Sequence, residues 1–424
     1  MEYLQPAILA RPIGPHDEAT PYEFSKNPDR RWQAVVIGAG PAGSLTAHEL
    51  ARRGLRVLLV DRKPFGRGKV CGACVNGRAL AVLEDLGLAH VAREAHGVPL
   101  TSLHVRSSRR AATIRLPAGI AVSRARFDAV LVSAALAAGA EFLPETTAFV
   151  GTAGAATRTV RLRGAARALD VRADVVIAAD GLSHPSLAML PEFRCQKRSG
   201  GRIGGGCVLG AAPDSFIRGT VYMAVGRFGY VGFVRIDDDS LNVAAAIDPK
   251  YVRVSGGLAK AAQAIVCEAG LRQPSMVKNG RWSGTPPLTH RPKTIAARRL
   301  FVIGDAAGYV EPFTGEGIAW ALKSAAAVAP LVAEAVAHWR DEIASTWMSV
   351  HRRQIVRRQR LCRALATLLR YPRIVHCGLD LLTWMPGLVE RVVDRLNGPA
   401  VFLGDPDYGH GYCRNRLGVA SPPH

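Results

Sequence analysis

The sequence predicts a discontinuous α/β domain, an inserted antiparallel-sheet domain and a helical C-terminal region. Three observations predict it. The stretch VVIGAGPAGSLTAHELARRGLRVLLVD, residues 35–61, places a glycine turn and an Ala/Leu-rich helix between two apolar strands. From about 185 to 290 the texture changes to GTVYMAV, GYVGFVRI, a DDDS turn and LNVAAAI, which reads as antiparallel sheet with a hairpin. The run LFVIGDAAG at 300–308 and an Ala-rich helix over 317–338 then resume the first texture. The expected division is a loose tail over 1–31, an α/β domain over 32–184 and 291–340, a substrate sheet over 185–290, and helices over 341–424.

The elements follow in order. A strand over 33–37, a helix over 41–53 and a strand over 56–60 make a βαβ opening. Asn76 is placed to cap a helix running to Leu86, where Gly87 stops it. Ser123 is placed to cap a second helix, RARFDAVLVSAALAAG. ADVVIAADG at 173–181 is a buried strand with a glycine end. GGRIGGGCVLG at 200–210 lacks phosphate-loop spacing and is expected to permit a bulge or close approach within the sheet.

Composition sets outer limits. A chain of 424 residues is long enough for two or three structural units, and 48% hydrophobic residues exclude a disordered chain. A formal net charge of +21 favours anionic partners, or else a solvated basic surface. Of eight cysteines only Cys71 and Cys74 are neighbours, and no further pair completes a zinc set, so no metal is expected. The first residues lack a basic end followed by an apolar core, and no uninterrupted apolar run reaches the ~18–20 residues of a spanning helix. A cytoplasmic protein with reduced thiols is expected.

The opening stretch has a chemical reading. Gly38 permits a tight turn, Gly40 lets a phosphate approach the backbone, and Gly43 allows close strand–helix packing. The helix start then aims free N–H groups and a positive dipole end at a pyrophosphate. Asp61, closing the second strand, is suited to accept hydrogen bonds from ribose hydroxyls. This is a Rossmann-like dinucleotide site.

FVIGDAAGYVEPFTGEGIAWAL, residues 301–322, makes the resemblance specific. The chain resembles the flavoprotein superfamily of geranylgeranyl reductases, aromatic hydroxylases and flavin-dependent halogenases, over about residues 32–340. The resemblance implies FAD, with Asp305 of Gly304-Asp305 on the ribityl chain. It implies that Pro312 and the turn Gly315, Glu316, Gly317 and Ile318 present backbone N–H groups to the flavin, where positive potential favours the reduced anion. VSRARFDAVL resembles a superfamily segment whose arginine, Arg124 here, lies beside FAD, and IAADG resembles a DG motif through Asp180 and Gly181. The DG motif continues as DGLSHPS, shifted and without the arginine of the hydroxylases. NADPH or NADH is the expected electron donor, although no second GxGxxG marks a site for it.

GKVCGACV at 68–75 resembles a Cys-Gly-Gly segment of the geranylgeranyl reductases, which implies that Cys71 lies near the flavin and is the candidate catalytic residue; Ala73 departs from the second glycine. GYVGFV at 229–234 resembles their aromatic strand, but Gly232 stands where tryptophan is expected. The Trp-x-Trp-x-Ile-Pro segment of halogenases is absent, and Lys69 by itself does not make one. Cys71 and Cys74 could form a dithiol, but small buried hydrophobes are the simpler reading.

An FAD-dependent oxidoreductase is therefore expected. The leading reaction implied by the resemblance is reduction of a carbon–carbon double bond in an isoprenoid or similar apolar substrate. Alternatives are hydroxylation of an aromatic or polyketide substrate, halogenation, and a peripheral-membrane protein with structural FAD. From Arg352 to Arg373 there are eight arginines and no acid, with Leu361, Leu365, Leu368 and Leu369 on one helical face. Such a helix either rests on an anionic membrane or packs its apolar side and solvates its arginines. Aromatic residues are sparse there, so nucleic acid is not an expected partner.

Overall fold

Branched apolar residues dominate 33–37, 57–60 and 173–178, and all three runs become strands of one sheet. The computed structural model describes residues 31–387, apart from 166–167, 198–200, 272–273, 312, 314 and 386. Residues 1–30 of the tail expected over 1–31, Pro312 and residues 388–424 lie outside the described residues, and Arg31 begins the first strand instead of ending a tail.

The first sheet has eight strands. Its main path runs Ala296–Ala297, Leu300–Val302, Ala168–Ala178, Arg31–Ile37, Val57–Val60, Glu141–Leu143. Arg31–Ile37 pairs in parallel with Ala168–Ala178 on one side and Val57–Val60 on the other. Both faces are covered, which is why Val35, Val36, Leu58, Leu59, Val175 and Val176 are all buried. Helix Pro41–Ala51 is buried along its whole length, packed against helices Arg124–Ala137 and Gly317–Ala337.

The helix caps are those expected. Asn76 accepts from the Ala79 N–H at the start of helix Gly77–Asp85, and Ser123 accepts from the Arg126 N–H at the start of Arg124–Ala137. Helix Gly317–Ala337 is, among the described residues, the one helix long and apolar enough to cross a membrane by length and composition. It is mostly buried inside the protein, between Pro41–Ala51 and Gly77–Asp85. The run at 300–308 is strand only over Leu300–Val302; a 3-10 turn, Gly304–Ala307, follows. Gly304 takes φ +59°, which ends the extended run.

The second sheet has seven strands, in the order Ser283–Pro287, Ile203–Ala211, Ser240–Ile247, Gly229–Arg235, Thr220–Gly226, Ser102–Ser107, Arg110–Arg115. The last two come from the 32–184 segment that the sequence assigns to the α/β domain. Ser102–Ser107 joins Thr220–Gly226 in parallel, and Val105 and Ile114 pack with Met223 and Val225. Strand alternation tells which face is apolar, not which sheet the strand joins. The Gly-rich run permits close approach, as expected: a Cβ on Gly205 would lie 2.9 Å from Leu258 and 3.2 Å from Trp282. The C-terminal region supplies helices Asp341–His351, Arg357–Leu368 and Pro372–Trp384, the first two joined by a π-helical turn, Arg352–Val356.

Helix Pro41–Ala51 also buries an acid. Glu49 is 1% exposed and receives Arg53 Nη1 at 2.6 Å and His48 Nδ1 at 3.1 Å. Burial alone would raise its pKa, but hydrogen bonds from His48 and Arg53 and the charges of Arg53 and Arg52 bring it down to about 2. A depressed folded pKa gives stability that is complete above the ordinary value of 4.5 and lost as pH falls toward about 2. Glu49→Gln should cost on the order of 2 kcal/mol at pH 7, discounted for the partly exposed arginine partners. Urea midpoints measured between pH 7 and pH 3 should converge for parent and variant as the acid protonates.

Candidate functional site

A single cavity of about 960 Å³ runs from the carboxyl ends of the parallel strands to the second sheet and the C-terminal helices. Its polar end is built by the glycine turn. Gly38 has φ +105°, and a Cβ there would come within 2.5 Å of the Ala179 carbonyl oxygen. Gly43 is tighter still, with a Cβ only 1.8 Å from Gly38 O. Gly40 is open to the cavity, and the nearest atom to an added Cβ is Arg124 Nη2 at 3.9 Å. Gly40 is also the N-cap of Pro41–Ala51 and offers no side-chain cap, so first-turn amides face the cavity without a protein partner from that residue.

Asp61 lines the same space. Its Oδ2 accepts from the Ala39 N–H at 2.8 Å and from Arg67 at 2.9 Å, and its Oδ1 accepts from the Lys63 N–H at 2.9 Å. Asp180 lines it too. Its Oδ2 accepts from the Ser186 N–H at 2.8 Å, while Oδ1 is buried without a hydrogen-bond partner. Burial raises the Asp180 pKa above the ordinary carboxylate value. An orphaned acceptor of this kind costs free energy until a ligand donor, or a proton, satisfies it.

Asp305 sits on the 3-10 turn, paired with Lys69 Nζ at 3.2 Å. Gly304 stands behind it, where a Cβ would lie 2.9 Å from Ala42 Cβ. Gly315, at φ +71°, Gly317 and Ile318 form the next wall of the cavity. Glu316 is different. Its carboxylate accepts from Trp320 Nε1 at 2.9 Å and from the Cys362 thiol, outside the cavity lining. Burial raises its pKa, with the Arg78 charge opposing. The side chain therefore ties the long helix to helix Arg357–Leu368, and only the backbone of Glu316 is left for a ligand.

Arg124 is buried and forms a two-pronged ion pair with Asp128, at 2.9 and 2.8 Å, beside the Cys71 thiol. Burial works against its charge, but Asp128 and Cys71 hold its pKa above the ordinary arginine value. Cys71 and Cys74 are both free. Burial first, and then Cys71, push the Cys74 thiol up to about 12. A neutral thiol is a poor nucleophile, so Cys74 itself attacks slowly at neutral pH.

Sequence reasoning missed two phenols. Tyr309 and Tyr230 line the cavity, and burial, first of all, holds both well above the ordinary tyrosine value. Tyr309 Oη lies 2.9 Å from where a Gly317 Cβ would sit, beside the Gly315–Gly317 turn. Tyr230 packs edge-on against Phe313 at 5.1 Å, backed by a fully buried Arg202–Glu311 pair at 2.9 Å. Tyr230 sits in the GYVGFV strand, which was the available signal; nothing in the sequence marks Tyr309. His184 and His290, far apart in the chain, stack with ring centroids 6.0 Å apart.

A family model described as an FAD binding domain matches residues 31–201. The chain is an FAD-dependent oxidoreductase. This oxidoreductase is 29% identical over 325 residues to digeranylgeranylglycerophospholipid reductase 2 of Methanosphaera stadtmanae, covering 71% of this chain and 78% of that protein. It is 27% identical over 390 residues to menaquinone reductase of Mycolicibacterium smegmatis, covering 82% and 86%. Conditioned medium factor receptor 1 of Dictyostelium discoideum is 27% identical over 314 residues, 69% of this chain; the oxidoreductase spans 61% of that protein's length. Two solved structures share the fold. A geranylgeranyl bacteriochlorophyll reductase-like protein of Thermoplasma acidophilum gives a TM-score of 0.71 at 18% identity, covering 87% of this chain and 96% of the other. A flavin-dependent brominase gives 0.73 at 20% identity, covering 87% and 94%. The residues present fit FAD: open glycine backbone at Gly40, an oriented carboxylate at Asp61, and an unsatisfied acceptor at Asp180, all on one cavity.

The thiol geometry is testable. Mild oxidation of the oxidoreductase followed by peptide mapping should show Cys71 and Cys74 unlinked. Cys74 should also react with a thiol reagent far more slowly than an ordinary cysteine at pH 8. A Cys71–Cys74 crosslink would instead establish a redox dithiol.

Proposed function

We propose that the protein reduces a carbon–carbon double bond in a long isoprenoid-like substrate, and that it holds FAD through the residues at the polar end of the cavity. The observation that carries this is the cavity's division of labour. One end presents Gly40, Asp61, Asp180 and Asp305; the other is walled by aliphatic side chains such as Leu103, Val105, Ile114, Met223 and Val225. An extended hydrocarbon chain would bury itself there at roughly 25 cal/mol per Å² of apolar surface. The reductase names of two relatives support the same substrate class.

In this reading Gly38, Gly40 and Gly43 bring the pyrophosphate against the helix start, and Asp61 takes the adenosine ribose. Asp305 takes the ribityl chain, and the Gly315–Ile318 backbone faces the flavin edge. Bound FAD supplies a hydride donor when reduced by NADPH or NADH. The chain's own contribution is to orient the substrate, exclude water and deliver a proton. Tyr309 is the acid assigned to that last role: it lines the cavity beside the Gly315–Gly317 turn, and its raised pKa keeps its proton in place at neutral pH. Cys71, against Arg124, shapes the wall at the junction of the two ends.

Hydroxylation by oxygen activation is the second reading, supported by the likeness of fold to a solved structure of a probable FAD-dependent monooxygenase. Halogenation has less support, because Lys69 is engaged with Asp305. The eight arginines from Arg352 to Arg373 support a cytoplasmic station peripheral to an anionic membrane.

Three outcomes are expected. Asp61→Ala and Asp305→Ala should each bind FAD about 10- to 100-fold more weakly, the value of a charge-assisted hydrogen bond, measured by titrating apoprotein with FAD. Reduced enzyme held without oxygen should reoxidise on addition of an isoprenoid alkene; an absorbing intermediate that appears only with oxygen would instead establish the monooxygenase. Tyr309→Phe should slow alkene-driven reoxidation by about 100-fold or more while FAD affinity stays unchanged.

A further inference from the structure

Fifteen large hydrophobic side chains are exposed among the described residues, and seven of them fall between Leu361 and Met385. Helix Pro372–Trp384 shows why this is not ordinary packing. Val375 and Leu379, 9% and 3% exposed, face inward and pack with Val105 and Ile114 of the second sheet. Ile374 and Leu381, spaced seven apart on another face, are 45% and 50% exposed, and Trp384 is 84% exposed. The inward stripe accounts for the helix's place in the fold; the outward stripe has no described neighbour to justify it.

Two residues connect that stripe to the cavity. Leu368 and Ile374 both line the 960 Å³ cavity, and both are 45% exposed. They are the lip of its apolar end. The helix that ends at Leu368 begins in a cluster of charge. Arg352, Arg353, Arg357 and Arg360, with Met348 and Ser349, line a second concavity of about 480 Å³ with no acid in its wall. That concavity is built around the π-helical turn Arg352–Val356. Arg357 and Arg360 sit on the helix that ends at Leu368, so the arginine wall and the apolar lip share one element.

An exposed apolar crest with an aromatic tip, in a region that also clusters guanidiniums, is complementary to an anionic phospholipid bilayer. Guanidiniums recognise headgroup phosphate in paired hydrogen bonds, and the crest enters the hydrocarbon. We infer that the protein docks on such a bilayer through this face. Headgroup phosphates occupy the Arg352–Arg353–Arg357–Arg360 concavity, and Leu381 and Trp384 insert beside the lip. The apolar substrate then passes from the bilayer between Leu368 and Ile374 into the cavity without crossing water. The docking stands on the surface itself; the passage of substrate rests on the reading of a long apolar substrate given above.

The experiment uses the full FAD-loaded chain and two vesicle types, phosphatidylcholine alone and phosphatidylcholine with phosphatidylglycerol in equal parts. Parent protein should sediment with the anionic vesicles, and at least 10-fold less with the neutral ones. The double variant Leu381→Asp/Trp384→Asp changes two exposed side chains outside the cavity wall, so FAD content and thermal midpoint should hold. Its vesicle binding should fall at least 10-fold. The triple variant Arg352→Gln/Arg357→Gln/Arg360→Gln should lose the preference for anionic vesicles. Turnover separates the two layers. With an isoprenoid carried in anionic vesicles the Asp double variant should slow at least 10-fold, and with a short dispersed alkene it should match the parent. A parent that reduces neither substrate overturns the reductase reading and leaves the sedimentation result to judge docking. A parent that does not sediment, or a double variant that sediments like the parent, overturns docking. In that case a dimer dispersed by the double variant would assign the crest to a second copy, and a persistent monomer would assign it to residues 388–424.

Discussion

The cofactor end of this protein depends on one close approach. Helix Pro41–Ala51 lies so near the turn before it that a methyl group on Gly43 would overlap the Gly38 carbonyl oxygen at 1.8 Å. The same packing sets Ala42 against Gly304, where there is again no room for a side chain. Three distant segments, 37–43, 179–181 and 303–308, are thereby gathered at the carboxyl ends of neighbouring parallel strands. The strand order reverses direction there, with Ala168–Ala178 on one side of Arg31–Ile37 and Val57–Val60 on the other. Ligands of open α/β sheets bind at such switch points because the diverging connections leave a crevice.

Polar and apolar requirements are met at opposite ends of one space. At the polar end, carboxylates are held by backbone N–H groups, as Asp61 is by Ala39 and Lys63, so they are oriented before any ligand arrives. At the other end the second sheet provides a wall that its own edge hairpin, Ser102–Ser107 with Arg110–Arg115, extends. Gly232 matters here. Where a tryptophan is expected in the resembling strand, Met223 fills the space, its Sδ only 2.8 Å from where a Gly232 Cβ would sit.

Buried charge in the site is matched in pairs, which restricts what the groups can do. Arg124 is committed to Asp128 and Arg202 to Glu311, both pairs buried, while Lys69 and Asp305 pair in a partly exposed position. Removing one member of a buried pair strands the other, so these pairs hold the walls in one arrangement. Against that background the unpaired Asp180 oxygen and the protonated Tyr309 stand out as groups with capacity left for a ligand.

The sequence by itself determined the βαβ opening, both helix caps and the glycine chemistry, because these are local. Gly38, Gly40, Gly43 and Asp61 lie within a stretch whose spacing alone dictates a turn, a helix start and a terminal acid. The GD and GEG segments were legible only through the superfamily resemblance, which expects backbone N–H groups at that turn; the Glu316 carboxylate itself goes to Trp320 and Cys362. Only the tertiary structure decided which sheet received Ser102–Ser107, since strand alternation specifies a face and not a partner. Only it brought Tyr309 beside Gly317 and His184 beside His290, across separations that no spacing rule reaches. It also decided the use of the C-terminal apolar residues. Leu361 and Leu368 could have been core by periodicity, yet packing had room for only one stripe of each helix, and the remainder was left on the surface at the mouth of the cavity.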